Sequence, residues 1–170
     1  FQKRVAKDSW WGDLSTRPYM RGLGNLALAL NRAGRFDEAL AVCERLDACN
    51  RPDTVAARRV FIFLNVGRYD EASACSRGRI GYSTEAAFDL AIALNGLGRA
   101  GDALPFLVRA VLNHPRAARR LVGVSVKKPV SRREWEDDRL GESLPRDLHD
   151  WLAREGRKAL DPLRQLLRKP

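Results

Sequence analysis

Three copies of one short pattern constrain the fold of this chain more than any other feature. Each copy has an apolar stretch, then the dipeptide Gly-Arg, and then a small residue four or five positions further on. The glycines are Gly34, Gly67 and Gly98, so the copies are spaced by 33 and 31 residues. A period of this length is typical of helical repeats that stack on one another.

Each copy predicts two helices that fold back on each other. Apolar residues before the glycine recur at offsets of three and four, as in Leu23, Leu26 and Leu30, which places them on one helix face. The glycine then ends the first helix, because it readily adopts the left-handed conformation of a C-terminal cap. The small residues allow the second helix to pack closely on the first, and they are Ala39, Ala72 and Ala103. Stacking such hairpins produces an all-α solenoid.

The third copy carries the clearest family resemblance. Its second helix has Ala103-Leu104, then Leu107 and Ala110, and Pro115 closes it. In these residues the chain resembles tetratricopeptide repeat proteins, whose repeat is ~34 residues long. The resemblance covers residues 18–117, and it implies a module that binds other proteins and has no catalytic activity.

A narrower resemblance lies in the segment that precedes the repeats. Thr16-Arg17-Pro18-Tyr19-Met20-Arg21 is similar to the lead-in of a bacterial group of tetratricopeptide proteins related to the suppressor-of-tumorigenicity family. This group also implies binding rather than chemistry. We therefore divide the chain into a lead-in over 1–17, repeats over 18–117 and a basic helical cap over 118–170.

The sequence of the cap region does not continue the repeat pattern. Its apolar residues predict one helix from about Pro145 to Glu155, and Asp161-Pro162 predicts the start of a last helix. We expect these helices to pack on the end of the repeat stack.

The first helices of the hairpins are expected to line a concave groove. Counting back from the glycines, its predicted polar lining is Arg21, Asn25, Asn31, Arg32, Arg58, Asn65, Glu85, Asp89 and Asn95. Apolar side chains are expected between them, namely Leu28, Phe61, Phe88 and Ile92. A side-chain amide can bond the backbone of an extended peptide through both its donor and its acceptor. Equally, the three asparagines could simply end helices beside the glycines, and the sequence leaves both interpretations open.

The charges of this lining indicate the kind of segment that it would bind. Arg21 and Asn25 suit a clamp for a terminal carboxylate, but Glu85 and Asp89 place negative charge where such a clamp needs basic residues. A mixed-charge extended segment of another protein is therefore the predicted ligand.

A basic cluster supports an alternative function. The net charge is +10, and a dense positive stretch follows the repeats: Arg116, Arg119, Arg120, Lys127, Lys128, Arg132 and Arg133. Such clusters bind phosphate backbones or acidic protein surfaces. The alternative is therefore a subunit that contacts nucleic acid or a ribonucleoprotein through this region. No aromatic residues are interleaved for base stacking, and the excess of Arg over Lys also fits a GC-rich coding bias.

Residues that could carry chemistry are few. His114 and His149 have no metal-ligand spacing to Cys or carboxylates, and the three cysteines form no CxxC pair. We therefore predict no enzyme, no metal and no cofactor, with the cysteines in a reducing cytoplasm. Apolar runs are far shorter than the ~20 residues that cross a bilayer, so no membrane contact is expected. The predicted function is a protein-interaction scaffold of unknown oligomeric state.

Overall fold

The computed structural model describes residue 10 and residues 12–49, 52–155 and 157–168. Over these ranges all of the regular secondary structure is helical, which confirms the all-α prediction. The helices are α1 Arg17–Arg32, α2 Phe36–Asp47, α3 Pro52–Val66, α4 Tyr69–Arg77, α5 Ala86–Gly96, α6 Ala100–Asn113, α7 Pro115–Leu121, α8 Arg132–Asp147, α9 His149–Glu155 and α10 Asp161–Arg168. A short 3-10 helix, Arg157–Leu160, precedes α10.

The glycine that ends each first helix has the backbone conformation that the sequence predicts. Gly67 has φ +78°, and Gly34 and Gly98 both have φ +72°. In each case the N–H after the glycine reaches back to a carbonyl of the last turn, as from Arg68 to Phe63 at 2.8 Å. This pattern satisfies carbonyls that a helix end leaves without partners, and it turns the chain into the second helix.

Helices α1 to α8 pack as four consecutive hairpins, one more than the sequence predicts. The first three are the predicted repeats, and the small residues Ala39, Ala72 and Ala103 are buried at their helix contacts. The fourth hairpin pairs α7 with α8. Its first helix begins at Pro115, so residue 117, the predicted end of the repeats, lies inside α7.

The C-terminal helices lie against the first helices of the hairpins. The sequence predicts a cap on the end of the stack, but α8 contacts α1 and α9 contacts α3. The segment 124–130, which has no regular secondary structure, connects α7 to α8. Apolar side chains of α9 and α10, such as Trp151 and Leu163, then join the core that contains Phe88 and Ile92. The single helix predicted from Pro145 to Glu155 is also wrong, since α8 ends at Asp147 and α9 begins at His149.

Candidate functional site

The junction between α8 and α9 is held by two asparagines at the ends of α1 and α3. Asn31 Nδ2 and Asn65 Nδ2 both donate to the carbonyl oxygen of Asp147, at 3.0 and 2.8 Å. Asn65 Oδ1 accepts the N–H of Trp151 at 3.1 Å, and Asn65 Nδ2 also donates to Asn31 Oδ1 at 3.0 Å. These amides therefore bind main-chain groups, and the main chain that they bind is the protein's own.

Helices α3 and α9 satisfy each other's unpaired backbone groups. The N–H of Trp151 lies in the first turn of α9, where a helix offers no acceptor of its own, and Asn65 Oδ1 fills that role. In return, the Arg154 guanidinium donates to the carbonyls of Asn65 at 2.6 Å and Leu64 at 2.9 Å. Those carbonyls belong to the last turn of α3, where a cation also meets the negative end of the helix dipole.

One ion pair and a group of hydrogen bonds complete the contact of α8 and α9 with the first two repeats. Arg32 Nε donates to Asp147 Oδ1 at 2.7 Å. The Tyr69 hydroxyl donates to Glu155 Oε1 at 2.5 Å, and Arg154 lies 3.2 Å from the same hydroxyl. The hydrogen bond from Tyr69 keeps the pKa of the Glu155 carboxyl below its usual value.

Apolar side chains of the C-terminal helices are buried in this contact. Leu144, Leu148 and Trp151 are each 2% exposed or less. Burying a side chain of this size contributes roughly 1.5–3 kcal/mol relative to leaving it in water. The groove of the first two repeats is therefore filled by the chain itself.

The third repeat leaves an open cavity beside its own asparagine. The cavity has a volume of about 300 Å³ and is lined by Asn95, Gly96, Trp151, Glu155, Ala159 and Pro162. Asn95 is half-buried, and no hydrogen bond of its side chain is formed with the residues that the structure describes. The indole N–H of Trp151 is buried, and it has no partner in that part of the chain either.

The other predicted groove residues of the first two repeats differ in exposure. Arg21 and Asn25 are exposed on α1. Arg58 is half-buried, and its Nε donates to the carbonyl of Gly24 at 3.1 Å, which ties α3 to α1. Phe61 is also half-buried and packs against the core. Of this set, Arg21 and Asn25 are the two that present their side chains to solvent.

Asp89 does not line the groove, contrary to the sequence prediction. Its Oδ2 accepts a hydrogen bond from Arg79 Nη1 at 2.7 Å, and both side chains are buried. Burial raises the pKa of the Asp89 carboxyl to about 6, although Arg79 opposes the shift. Glu85 is exposed one turn earlier. The predicted pair of groove carboxylates is therefore split between the interior and the surface.

The apolar groove residues of the third repeat are covered by the C-terminal helices. Phe88 and Ile92 are buried, and both lie in one small pocket with Leu160 and Leu163. Leu28 of the first repeat is half-buried. An apolar inner face explains why α10 folds onto the repeats.

Carboxylates of the same chain pair with some residues of the predicted basic cluster and leave others exposed. Arg116 Nε and Nη2 donate to the two carboxylate oxygens of Asp138 at 2.8 and 2.9 Å, and Arg120 Nη2 donates to it at 2.9 Å. These bonds, above all those from Arg116, hold the pKa of the Asp138 carboxyl well below its usual range. Arg132 pairs with Glu136 at 2.9 Å. Four members of the cluster are exposed and form no ion pair with the described residues, namely Arg119, Lys127, Lys128 and Arg133.

The three cysteines differ in burial. Cys43 and Cys49 are buried, Cys75 is half-buried, and all three are free thiols. Burial raises the pKa of the Cys43 thiol to about 11, so it stays protonated and unreactive at neutral pH. Among the described residues, no three His, Cys, Asp or Glu side chains are placed to hold a metal ion. None of the helices described is long and apolar enough to cross a bilayer.

Sequence reasoning missed the residues that fill the groove. Asp147 contributes a backbone carbonyl, which leaves no trace in a sequence, and Arg154 contributes a side chain that looks like any surface arginine. The only sequence signal for Trp151 is its helical spacing from the apolar residue Leu148. This spacing indicates a buried helix face but not the surface on which that face packs.

Comparison with known proteins supports the repeat assignment. The family model of the tetratricopeptide repeat matches residues 20–45 and residues 84–109. These segments cover most of the α1–α2 and α5–α6 hairpins, and the α3–α4 hairpin lies between them. No curated protein and no solved structure gives a significant match. The hairpin packing and the two family matches together support a protein of the tetratricopeptide repeat type.

Proposed function

We propose that this chain is a non-catalytic protein-interaction module that binds a segment of a partner protein at the open end of its inner groove, beside Asn95. The class of function rests on the two tetratricopeptide matches, since such repeats generally mediate contacts between proteins. The place rests on how the groove asparagines are used within the molecule.

The use of Asn31 supports this proposal more than any other observation. Asn31 and Asn95 both lie three residues before the glycine that ends their helix, so they occupy equivalent positions in the first and third repeats. Asn31 holds a main-chain carbonyl of the α8–α9 junction. Asn95 holds nothing in the described chain and borders a cavity. The same geometry is thus available to bind the main chain of a second protein.

The chemistry of the cavity favours a particular ligand. The Asn95 amide borders the cavity and offers both a donor and an acceptor. Glu155 also lines the cavity; its Oε1 accepts hydrogen bonds from Tyr69 and Arg154, which leaves Oε2 for a ligand. A volume of about 300 Å³ is at the lower end of ligand pockets, which suits a few residues of a peptide. We therefore expect a short segment that offers backbone carbonyls to the pocket and a basic side chain to Glu155.

The second predicted function gains no comparable support. Asp138 pairs with Arg116 and Arg120, so two of the three arginines nearest the repeats already have an anionic partner. A phosphate would have to compete with a carboxylate that accepts hydrogen bonds from both arginines.

Selection of displayed random peptides on the purified chain tests the proposed site. The affinities of the selected peptides are then measured for the wild type and for Asn95→Ala. Loss of the hydrogen bonds of this amide is expected to weaken binding by about tenfold, which corresponds to about 1.4 kcal/mol.

Asn25→Ala provides the matched control. Asn25 is an exposed asparagine on α1, so its removal should leave both fold and peptide affinity unchanged. Failure to select any peptide, or equal affinities for the wild type and Asn95→Ala, would contradict the proposal. Circular dichroism of both variants shows whether the helical fold is kept.

A further inference from the structure

Helix α6 exposes a continuous apolar stripe on its outer face. Leu104, Val108 and Leu112 are 49%, 38% and 72% exposed, and Gly101 and Pro105 are exposed between them. Spacings of three and four residues place all five on one face over three turns. No charged residue interrupts this stripe. Exposed large apolar side chains are unremarkable singly, but a contiguous group marks an interaction surface.

Charged residues interrupt the equivalent face of the other two repeats at two positions, so the uninterrupted stripe is specific to α6. The repeats align on their small residues, which are Ala39, Ala72 and Ala103. At the position of Val108, the first and second repeats carry Glu44 and Arg77, and both are exposed. At the position of Gly101, they carry Asp37 and Asp70. The helical-repeat fold therefore does not require an apolar surface here.

Two charges flank the stripe in a self-complementary arrangement. Asp102 and Arg109 are seven residues apart, so they lie two turns apart on the same flank of α6. In an antiparallel pair of α6 helices related by a twofold axis, Asp102 of each copy lies level with Arg109 of the other. Asp102 uses Oδ2 to bind Arg99 at 2.8 Å, which leaves its second oxygen open. Arg109 uses Nη2 for the carbonyl of Ile80 at 3.1 Å and keeps its other donors.

We propose that α6 is a homodimerisation surface, on which two copies of this chain pair their apolar stripes antiparallel. A twofold interface must be complementary to itself, and one apolar stripe flanked by opposite charges two turns apart meets that requirement. Three turns of helix bury less area than the ~1,200–2,000 Å² of stable interfaces. Association with a dissociation constant on the order of 10–100 μM is therefore expected, which corresponds to roughly 5.5–7 kcal/mol.

Sedimentation analysis of the 170-residue chain tests this proposal. A concentration series from about 1 to about 500 μM brackets the expected dissociation constant of the dimer. The wild type should shift from a 19.1 kDa monomer to a species of twice that mass. Val108→Glu introduces the residue that the first repeat carries at this position, and it should weaken dimerisation by at least about tenfold because it buries an unpaired charge. Leu112→Ser, at the most exposed position of the stripe, provides a second variant with little effect on folding.

Two further variants identify the geometry and control for non-specific effects. Asp102→Arg should weaken the dimer, and adding Arg109→Asp in the same chain should restore it, because the exchanged charges again face opposite partners. Arg77→Glu, at the position equivalent to Val108 on α4, should leave self-association unchanged. A wild type that stays monomeric throughout, or a dimer insensitive to both stripe variants, would overturn the proposal. Failure of the charge exchange to restore the dimer would overturn the antiparallel arrangement.

Discussion

Substitution of Asn65 by Ala tests whether the groove asparagines hold the C-terminal helices in place. The substitution removes a buried amide that bonds Asn31 Oδ1, the carbonyl of Asp147 and the N–H of Trp151. The Asp147 carbonyl keeps its bond from Asn31. The N–H of Trp151 and the Asn31 oxygen are left buried without these partners, at a cost of about 1–3 kcal/mol each. We therefore expect the free energy of unfolding to fall by about 4 kcal/mol.

Equilibrium unfolding in urea measures this loss. With a denaturant dependence of about 2 kcal/mol per molar urea, the midpoint should fall by about 2 M. Asn95→Ala is the matched control, because this amide has no hydrogen bond to lose within the described chain, and it should change stability by less than about 0.5 kcal/mol. A loss below about 1 kcal/mol for Asn65→Ala, with an unchanged denaturant dependence, would refute the reasoning that these bonds anchor α8 and α9.

Two further predictions concern packing and pH. Gly141→Ala is expected to lower the free energy of unfolding by about 1–3 kcal/mol, because a Cβ there would lie 2.8 Å from the Cα of Ala117. The cost of this steric overlap outweighs the better helix propensity of Ala. A variant more stable than the wild type in urea unfolding would contradict the close approach of α7 and α8. Because burial raises the pKa of Asp89 from 3.8 to about 6, the folded state binds the proton more tightly than the unfolded state does. Stability should therefore fall by up to about 3 kcal/mol as the pH rises from about 4 to about 6, relative to Asp89→Asn, whose profile lacks this slope. Equal slopes for the two proteins would show that the Asp89 pKa is not raised, and carbon NMR of the carboxyl measures it directly.

The repeats could be predicted from sequence because their determinants are local. Gly34, Gly67 and Gly98 end helices through their own backbone conformation, and the small residue five positions later decides how closely the next helix packs. Both effects act within a few residues, so a pattern in the sequence records them directly. The fourth hairpin lacks that pattern, since α7 is followed by Gly123-Val124 in place of Gly-Arg and no small residue stands five positions later, so the sequence did not predict it.

The occupant of the groove could not be predicted, although its mode of binding could. The amides of Asn31 and Asn65 do bind main-chain groups, but these belong to a segment of the same chain more than 80 residues later. Helical periodicity shows that Leu148 and Trp151 need a partner surface without showing which surface that is. The same limit explains Asp89, because its pairing with Arg79 depends on the path of the turn after α4.

The contact between Asn31 and Asp147 changes how such a repeat protein is expected to unfold. In an open solenoid each repeat touches only its neighbours, so stability is close to a sum of local terms, and the ends can fray separately. Here a bond joins residues 116 positions apart and ties the first hairpin to the end of the last one. Contacts of this range slow folding, and they couple the repeats into one cooperative unit. Repeats therefore could not be added to or removed from this array one at a time, because each change would move α1 away from the α8–α9 junction.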